Sequence, residues 1–252
     1  MRRPLLIPLL LLLAACGNAP TEKTEAPEPA APPATVDEVN GATVTGKVTF
    51  AGQKPARVEL DMSANPVCAR AHAKSPAYSE EVAVNPDGSL RNVFVWVKSG
   101  LPNATWAPPA TPAVLDQDGC VYKPHVLGIM TRQKIEIRNN DLTNHNVHSM
   151  ATANEAWNTS QPPKGDAMIR TFPRQEVMVP IKCNVHPWMK AYVGVVAHPF
   201  FAVTGDAGTF TIKGLPPGTY TIEAWHEKYG TQTQQVTVGA KESKAVDFTI
   251  KG

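Results

Sequence analysis

The sequence predicts an all-β protein, a β-sandwich or barrel followed by a small antiparallel β-module. Three observations carry this. From Ala42 onward the apolar residues recur in short runs with a two-residue period, which sends alternate side chains to opposite faces of a strand. Turn formers are abundant, with 17 Gly and 24 Pro. No stretch keeps an amphipathic helical period over several turns, so strands must supply the core.

The first residues read differently. Arg2 and Arg3 precede the apolar run 4–13 (PLLIPLLLLL), which falls short of the roughly 20 residues a membrane-crossing helix needs. Small residues then lead into a cysteine at Leu13-Ala14-Ala15-Cys16. That pattern is a lipoprotein signal: residues 1–15 are expected to be cleaved and Cys16 to be lipidated. Gly17, rather than Asp, after the cysteine points to the outer membrane, periplasmic face. Loss of Arg2 and Arg3 takes the 24 basic residues to 22, equal to the 22 acidic ones. A chain so balanced has no electrostatic footprint for nucleic acid. At 42% hydrophobic and 18% charged, the composition is that of a globular protein.

Residues 16–41 are expected to form a tether. Positions 18–38 hold five Pro, five Ala and five acidic residues without an apolar period, so they cannot bury enough surface to offset their ordering entropy. An N-terminal β segment follows at 42–84. Val44, Val48 and Phe50 alternate with polar residues there, and Val58, Leu60 and Met62 continue the period. Asn85-Pro86-Asp87-Gly88 is a strong turn signal before the strand Val93 to Val97. Further strands are expected at Val121 to Met130, Ile135 to Ile137, Val177 to Val179 and Tyr192 to Val196, within a module spanning 85–197.

The last segment, 198–252, has its own grammar. Thr209-Phe210-Thr211-Ile212 and Thr219-Tyr220-Thr221-Ile222 flank Leu215-Pro216-Pro217-Gly218, and two strands near 234–238 and 245–250 follow. The pattern G-x-F-x-I-x-G-L-P-P-G-x-Y resembles the carboxypeptidase regulatory-like (transthyretin-like) domains, which also look like some carbohydrate-binding folds. Val44-Thr45-Gly46-Lys47-Val48 resembles the first strand of the same family. Residues 42–60 could therefore pair with the C-terminal strands or with the module between.

The chemistry concentrates at Cys183-Asn184-Val185-His186-Pro187-Trp188-Met189, with Asn144-His145-Asn146-Val147 upstream. Two His, one Cys and a weak Met are the donors of a type 1 copper site. A thiolate binds copper covalently, imidazole suits both oxidation states, and a distant thioether favours the reduced ion. C-x2-H-x2-M with Pro after the His is similar to the ligand loop of amicyanin. H-N-V after Asn139-Asn140-Asp141 is similar to the upstream segment of plastocyanins and amicyanins. The resemblance implies a Greek-key cupredoxin sandwich and one copper ion. It implies His145, Cys183 and His186 as equatorial ligands, Met189 as axial ligand, and Asn146 as a hydrogen-bonding support for the sulfur. A buried structural Cys, a plain core Met, or zinc held by the same residues are the rival readings.

With Cys16 lipidated and Cys183 on the metal, Cys68 and Cys120 are left as disulfide candidates by elimination. If they stay reduced instead, His72 with Cys68 and His125 with Cys120 could build a second metal site. His148 lies three residues after His145, which on a strand is the opposite face. His198 and His226 read as structural, and no catalytic set is evident. The expected function is a membrane-anchored one-electron carrier, not an enzyme, docking its redox partner around His186, Pro187 and Trp188. A copper-handling protein without a redox partner, or an envelope carbohydrate- or protein-binding module with a structural metal, are the alternatives.

Overall fold

The computed structural model describes residues 33–252. The expected signal peptide, Cys16 and most of the tether lie outside them. In order, the elements are β1 (Ala42–Ala51), α1 (Pro66–Ala71), β2 (Phe94–Ser99), β3 (Ala113–Gln117), β4 (Tyr122–Lys123), β5 (Val126–Met130), β6 (Ile135–Asn139), β7 (His145–Ser149) and β8 (Trp157–Gln161). They continue with β9 (Met168–Arg170), β10 (Glu176–Lys182), β11 (Lys190–Val196), β12 (Phe201–Val203), β13 (Thr209–Leu215), β14 (Gly218–His226), β15 (Gly230–Val238), β16 (Ser243–Ala245) and β17 (Phe248–Lys251). The protein is nearly all β, as the period-two runs require.

Among the described residues, four sheets enclose two large cores and a small apolar cluster. The order β5-β11-β10-β7-β8 makes one sheet and β4-β3-β6-β9 another. Leu115, Tyr122, Ile137, Val147, Ile181 and Val193 from these two sheets share one buried core, which also takes in Cys183 and Met189. The pairs β11–β5 and β3–β6 are parallel, the others in these sheets antiparallel. The second core, with Val44, Val48, Val95, Ile212, Ile222 and Phe248, lies within the C-terminal strands and their partners.

β1 pairs antiparallel with β13 and parallel with β16 and β17, so the first strand of the folded region completes the C-terminal module. β2 falls inside the segment expected for the first sandwich, 85–197, yet its partners are β12 and β14. Its run Phe94-Val95-Trp96-Val97 does not alternate because both faces are covered. Val95 and Val97 join the C-terminal core, while Phe94 and Trp96 pack with Val126 and Val196 of the other module. Trp96 also donates its indole N–H to the buried Glu223 at 3.1 Å. At this seam the paired glycines Gly128 and Gly194 are close approaches. A Cβ on Gly128 would sit 2.5 Å from the Phe201 ring, and one on Gly194 2.7 Å from that of Phe94.

Two expected strands come out differently. Val121 to Met130 is split into β4 and β5 around Pro124, which has no N–H to give a ladder. Val58, Leu60 and Met62 form only an isolated bridge, Glu59 with Tyr78. Leu60 and Met62 pack on the first core, and Val58 is exposed. The described end of the expected tether is tied down as well, with the Ala34 N–H donating to the Thr105 carbonyl at 2.7 Å. The turn at 85–88 closes with Gly88 N–H on Asn85 O at 3.1 Å, Gly88 taking φ +80°.

The short helix α1 sits before the sandwich strands. Asn65 caps it, its side-chain oxygen accepting from Val67 N at 3.0 Å and Cys68 N at 3.3 Å, and Pro66 opens it with a preset φ. Cys68 on this helix is bonded to Cys120 after β3, 52 residues on.

Candidate metal centre

The expected ligand loop is the connection between β10 and β11. Cys183 follows the last residue of β10 and Met189 precedes β11, and the loop closes on itself through Cys183 N–H to Met189 O (3.2 Å) and Met189 N–H to His186 O (2.9 Å). β7 pairs with β10 at Ser149–Ile181 and His148–Lys182, which brings the start of β7, His145, alongside the loop. Three buried side chains meet there. His145 Nδ1 and His186 Nδ1 are 2.9 Å apart, Cys183 Sγ lies 3.7 Å from His186 Nδ1, and the donor atoms of all three fall within 4.8 Å of one another. Met189 is buried in the same core as Cys183, its backbone bonded into the loop.

The surroundings orient each donor. His145 Nε2 is 2.8 Å from Asp141 Oδ2, so in the neutral ring that nitrogen carries the proton and Nδ1 faces the cluster unprotonated. Asp141 is held in turn by Gly119 N–H (2.7 Å) and Cys120 N–H (2.8 Å). The sulfur accepts from the Asn146 backbone N–H at 3.3 Å. The Asn146 side chain acts elsewhere, accepting from Asn184 N–H at 3.2 Å and donating to Asn158. The Tyr122 hydroxyl, donating toward Asn146 O and Lys182 O, ties β7 and β10 together (2.9 and 3.2 Å).

Electrostatics point the same way. Burial pushes the Cys183 thiol up, but His145 and the backbone N–H groups of Asn146, His186 and Val185 together more than offset it, leaving the thiol below its ordinary range. His145 is drawn above the usual imidazole value although burial opposes this, because Asp141 and the thiolate favour its charged form. His186 is lowered by burial and by the neighbouring His145.

The other histidines are placed away from the cluster. His148 is on the opposite side of β7, half-buried, with Nδ1 3.2 Å from Asn184 Oδ1. His72 contacts the carbonyls of Gly119 and Ser75. His125 pairs with the buried Glu227 at 3.0 Å. Cys68 and Cys120 are joined, which removes their sulfurs from any second site, and among the described residues Cys183 is the free cysteine. Of the three residues expected at a docking surface, Pro187 is exposed, Trp188 half-buried, and His186 only 1% exposed. His186 is covered by Asn65, whose Nδ2 is 2.7 Å from its Nε2, and Trp188 donates to the Cys120 carbonyl at 2.9 Å. Sequence reasoning missed Asp141 and Asn65. Asp141 stood in view as the acidic residue of Asn139-Asn140-Asp141, four before His145; Asn65 carried only a cap signal before Pro66.

Residues 187–251 match the profile of the carboxypeptidase regulatory-like domain. The start of that match, 187–196, covers the end of the ligand loop and β11, which pair within the first sandwich. Among solved structures, the chain is similar to a copper-containing nitrite reductase from Thermus scotoductus SA-01, at 20% identity and TM-score 0.32 over 38% of this chain, spanning only 25% of that one. It is similar to a purple cupredoxin from Nitrosopumilus maritimus, at 21% identity and TM-score 0.29, over 33% of this chain and 98% of that one. An oxidised amicyanin variant aligns at 22% identity and TM-score 0.31, over 40% of this chain and 97% of that one. No match is found among curated proteins.

Proposed function

We propose that this is a lipid-anchored cell-envelope protein that binds one copper ion through His145, Cys183 and His186, with Met189 as a weak fourth donor, and passes single electrons between redox partners. The observation that carries the reading is the convergence of two imidazole nitrogens and one thiol sulfur, all buried, within 4.8 Å. The donor set fits the metal: a soft sulfur with two nitrogens suits copper, and Met is a poor ligand for zinc. Copper held there supplies a one-electron couple. The chain does the rest. Asp141 fixes the His145 tautomer, the Asn146 N–H steadies the sulfur, and the β10–β11 loop keeps three donors in one short connection so that little has to move. With His186 covered, the partner surface is drawn to Pro187 and Trp188. The C-terminal β-module has no part in the donor set and supports the sandwich through Phe94 and Trp96.

Metal analysis and a visible spectrum of purified Cys16→Ser protein test this reading. One copper per chain and an intense thiolate-to-copper band are expected; a chain that takes up no copper would overturn it. The burial of His186 favours a second reading, copper holding or delivery without a redox partner, because a screened ligand slows electron exchange. Tight Cu(I) binding with no colour on oxidation would select it. Lipidation at Cys16 is tested separately, since the Ser variant should leave the membrane fraction with its fold intact; three acyl chains anchor stably where one is marginal.

A further inference from the structure

Asn65 touches both the metal cluster and α1, and one amide cannot serve both in the same way once metal is bound. Its Oδ1 caps the helix, accepting from Val67 N and Cys68 N, so the group facing His186 Nε2 at 2.7 Å is the NH2. That makes Nε2 the unprotonated nitrogen of His186 and puts the ring proton on Nδ1, where it bridges to His145 Nδ1 at 2.9 Å. The bridge is consistent from the other side, since neutral His145 donates from Nε2 to Asp141 and has only Nδ1 left to accept. Ligation through Nδ1 reverses this. The proton of His186 then resides on Nε2 and requires an acceptor, whereas an NH2 group is a donor. In a site this buried, two donors facing each other cost a full unsatisfied group.

We infer that Asn65 is a positioning residue for the metal centre, and that loading turns its amide over: Oδ1 moves from the cap of α1 to accept from His186 Nε2–H. This rests on the copper reading above. The helix gives up its cap but keeps its place, because Cys68 is bonded to Cys120 and Trp188 of the ligand loop is bonded to the Cys120 carbonyl. The disulfide and Asn65 thus form one clip over the ring of His186, and metal occupancy is felt by α1 through a single side chain.

Two substitutions separate the roles. Asn65→Asp offers two oxygens, so it can cap α1 and accept from His186 at once, and a capping carboxylate keeps the helix. Asn65→Leu fills similar space and offers neither. Ala64→Asp, exposed and one residue away, controls for added charge. In metal-free protein at mildly alkaline pH, nitrogen NMR of the imidazoles should show His186 protonated at Nδ1 in the parent chain and at Nε2 in Asn65→Asp. In a competition assay with a Cu(I) chelator, Asn65→Asp should bind roughly tenfold tighter than the parent, Asn65→Leu roughly tenfold weaker, and Ala64→Asp within about twofold. The same His186 tautomer in the parent and Asn65→Asp, or equal copper affinity for the Asp and Leu variants, overturns the role of Asn65. The tautomer measurement needs no metal, so failure of the parent chain to bind copper sinks the functional reading without being mistaken for failure of this one.

Discussion

Asp141 Oδ2 lies 2.8 Å from His145 Nε2, and the same carboxylate accepts the backbone N–H groups of Gly119 and Cys120. One side chain therefore fixes the tautomer of a proposed ligand and anchors the loop that carries half of the disulfide. Asp141→Ala should lower copper affinity by about 10- to 100-fold, the usual range for a group supporting a ligand. It should also lower stability by about 1–3 kcal/mol for each backbone donor left unsatisfied. Chelator competition and denaturant unfolding read the two effects; loss of stability with affinity unchanged would show that Asp141 serves only the loop.

Substitutions at the proposed ligands should not be equivalent. Cys183→Ser removes the thiolate and should abolish the visible band. His145→Ala opens a position that added imidazole should partly refill, restoring colour. Met189→Leu should keep copper and raise the potential. His148→Ala should leave the spectrum unchanged, since that ring faces Asn184. Bleaching by His148→Ala with retention in His145→Ala would show that the donor set is misassigned.

The Cys68–Cys120 bond closes a loop of 52 residues. On the chain-entropy estimate, replacing both by Ser should cost about 4 kcal/mol, read by urea unfolding. In protein stripped of metal and then unfolded, a thiol reagent should modify Cys183 and neither partner of the disulfide until reduction. Labelling of Cys68 without reductant would contradict the pairing.

Stability should fall in acid through two buried histidines. Burial drives His198 and His226 from their ordinary 6.5 to about 4, so each is neutral in the fold and protonates more readily in the unfolded chain. Their contribution is complete above about pH 6.5 and is lost as the pH drops towards 4, on the order of 3 kcal/mol each. His198 donates to Val97 O at 2.9 Å, so His198→Gln can keep that bond while removing the ionisation. Unfolding free energy measured from pH 4 to 7 should then vary by about 3 kcal/mol less; an unaltered slope would falsify the assignment.

The seam between the modules depends on two absent side chains. Gly194→Val places atoms where the Phe94 ring sits, 2.7 Å from the new Cβ. Overpacking of this kind costs about 1–3 kcal/mol. Thermal unfolding should show the loss, and Phe94→Leu in the same chain should recover part of it.

Much of this was legible in the sequence. Period-two runs gave most strands because alternation reports directly which side chains face inward. The proposed ligand types and the odd thiol were readable because chemistry restricts the residues that can hold copper, whatever surrounds them. Other features depended on partners distant in the chain. The burial of β2 on both faces, the docking of β1 onto β13, β16 and β17, and the failure of 58–62 to form a strand all follow from which sheet covers which. Alternation says that a face is apolar, never what packs on it. Asn65 and His186 are 121 residues apart and Asp141 and Cys120 are 21 apart, and no local pattern marks either contact. Sequence decided which residue types could bind a metal; only the tertiary structure decided that His145, Cys183 and His186 bring donor atoms within 4.8 Å of one another.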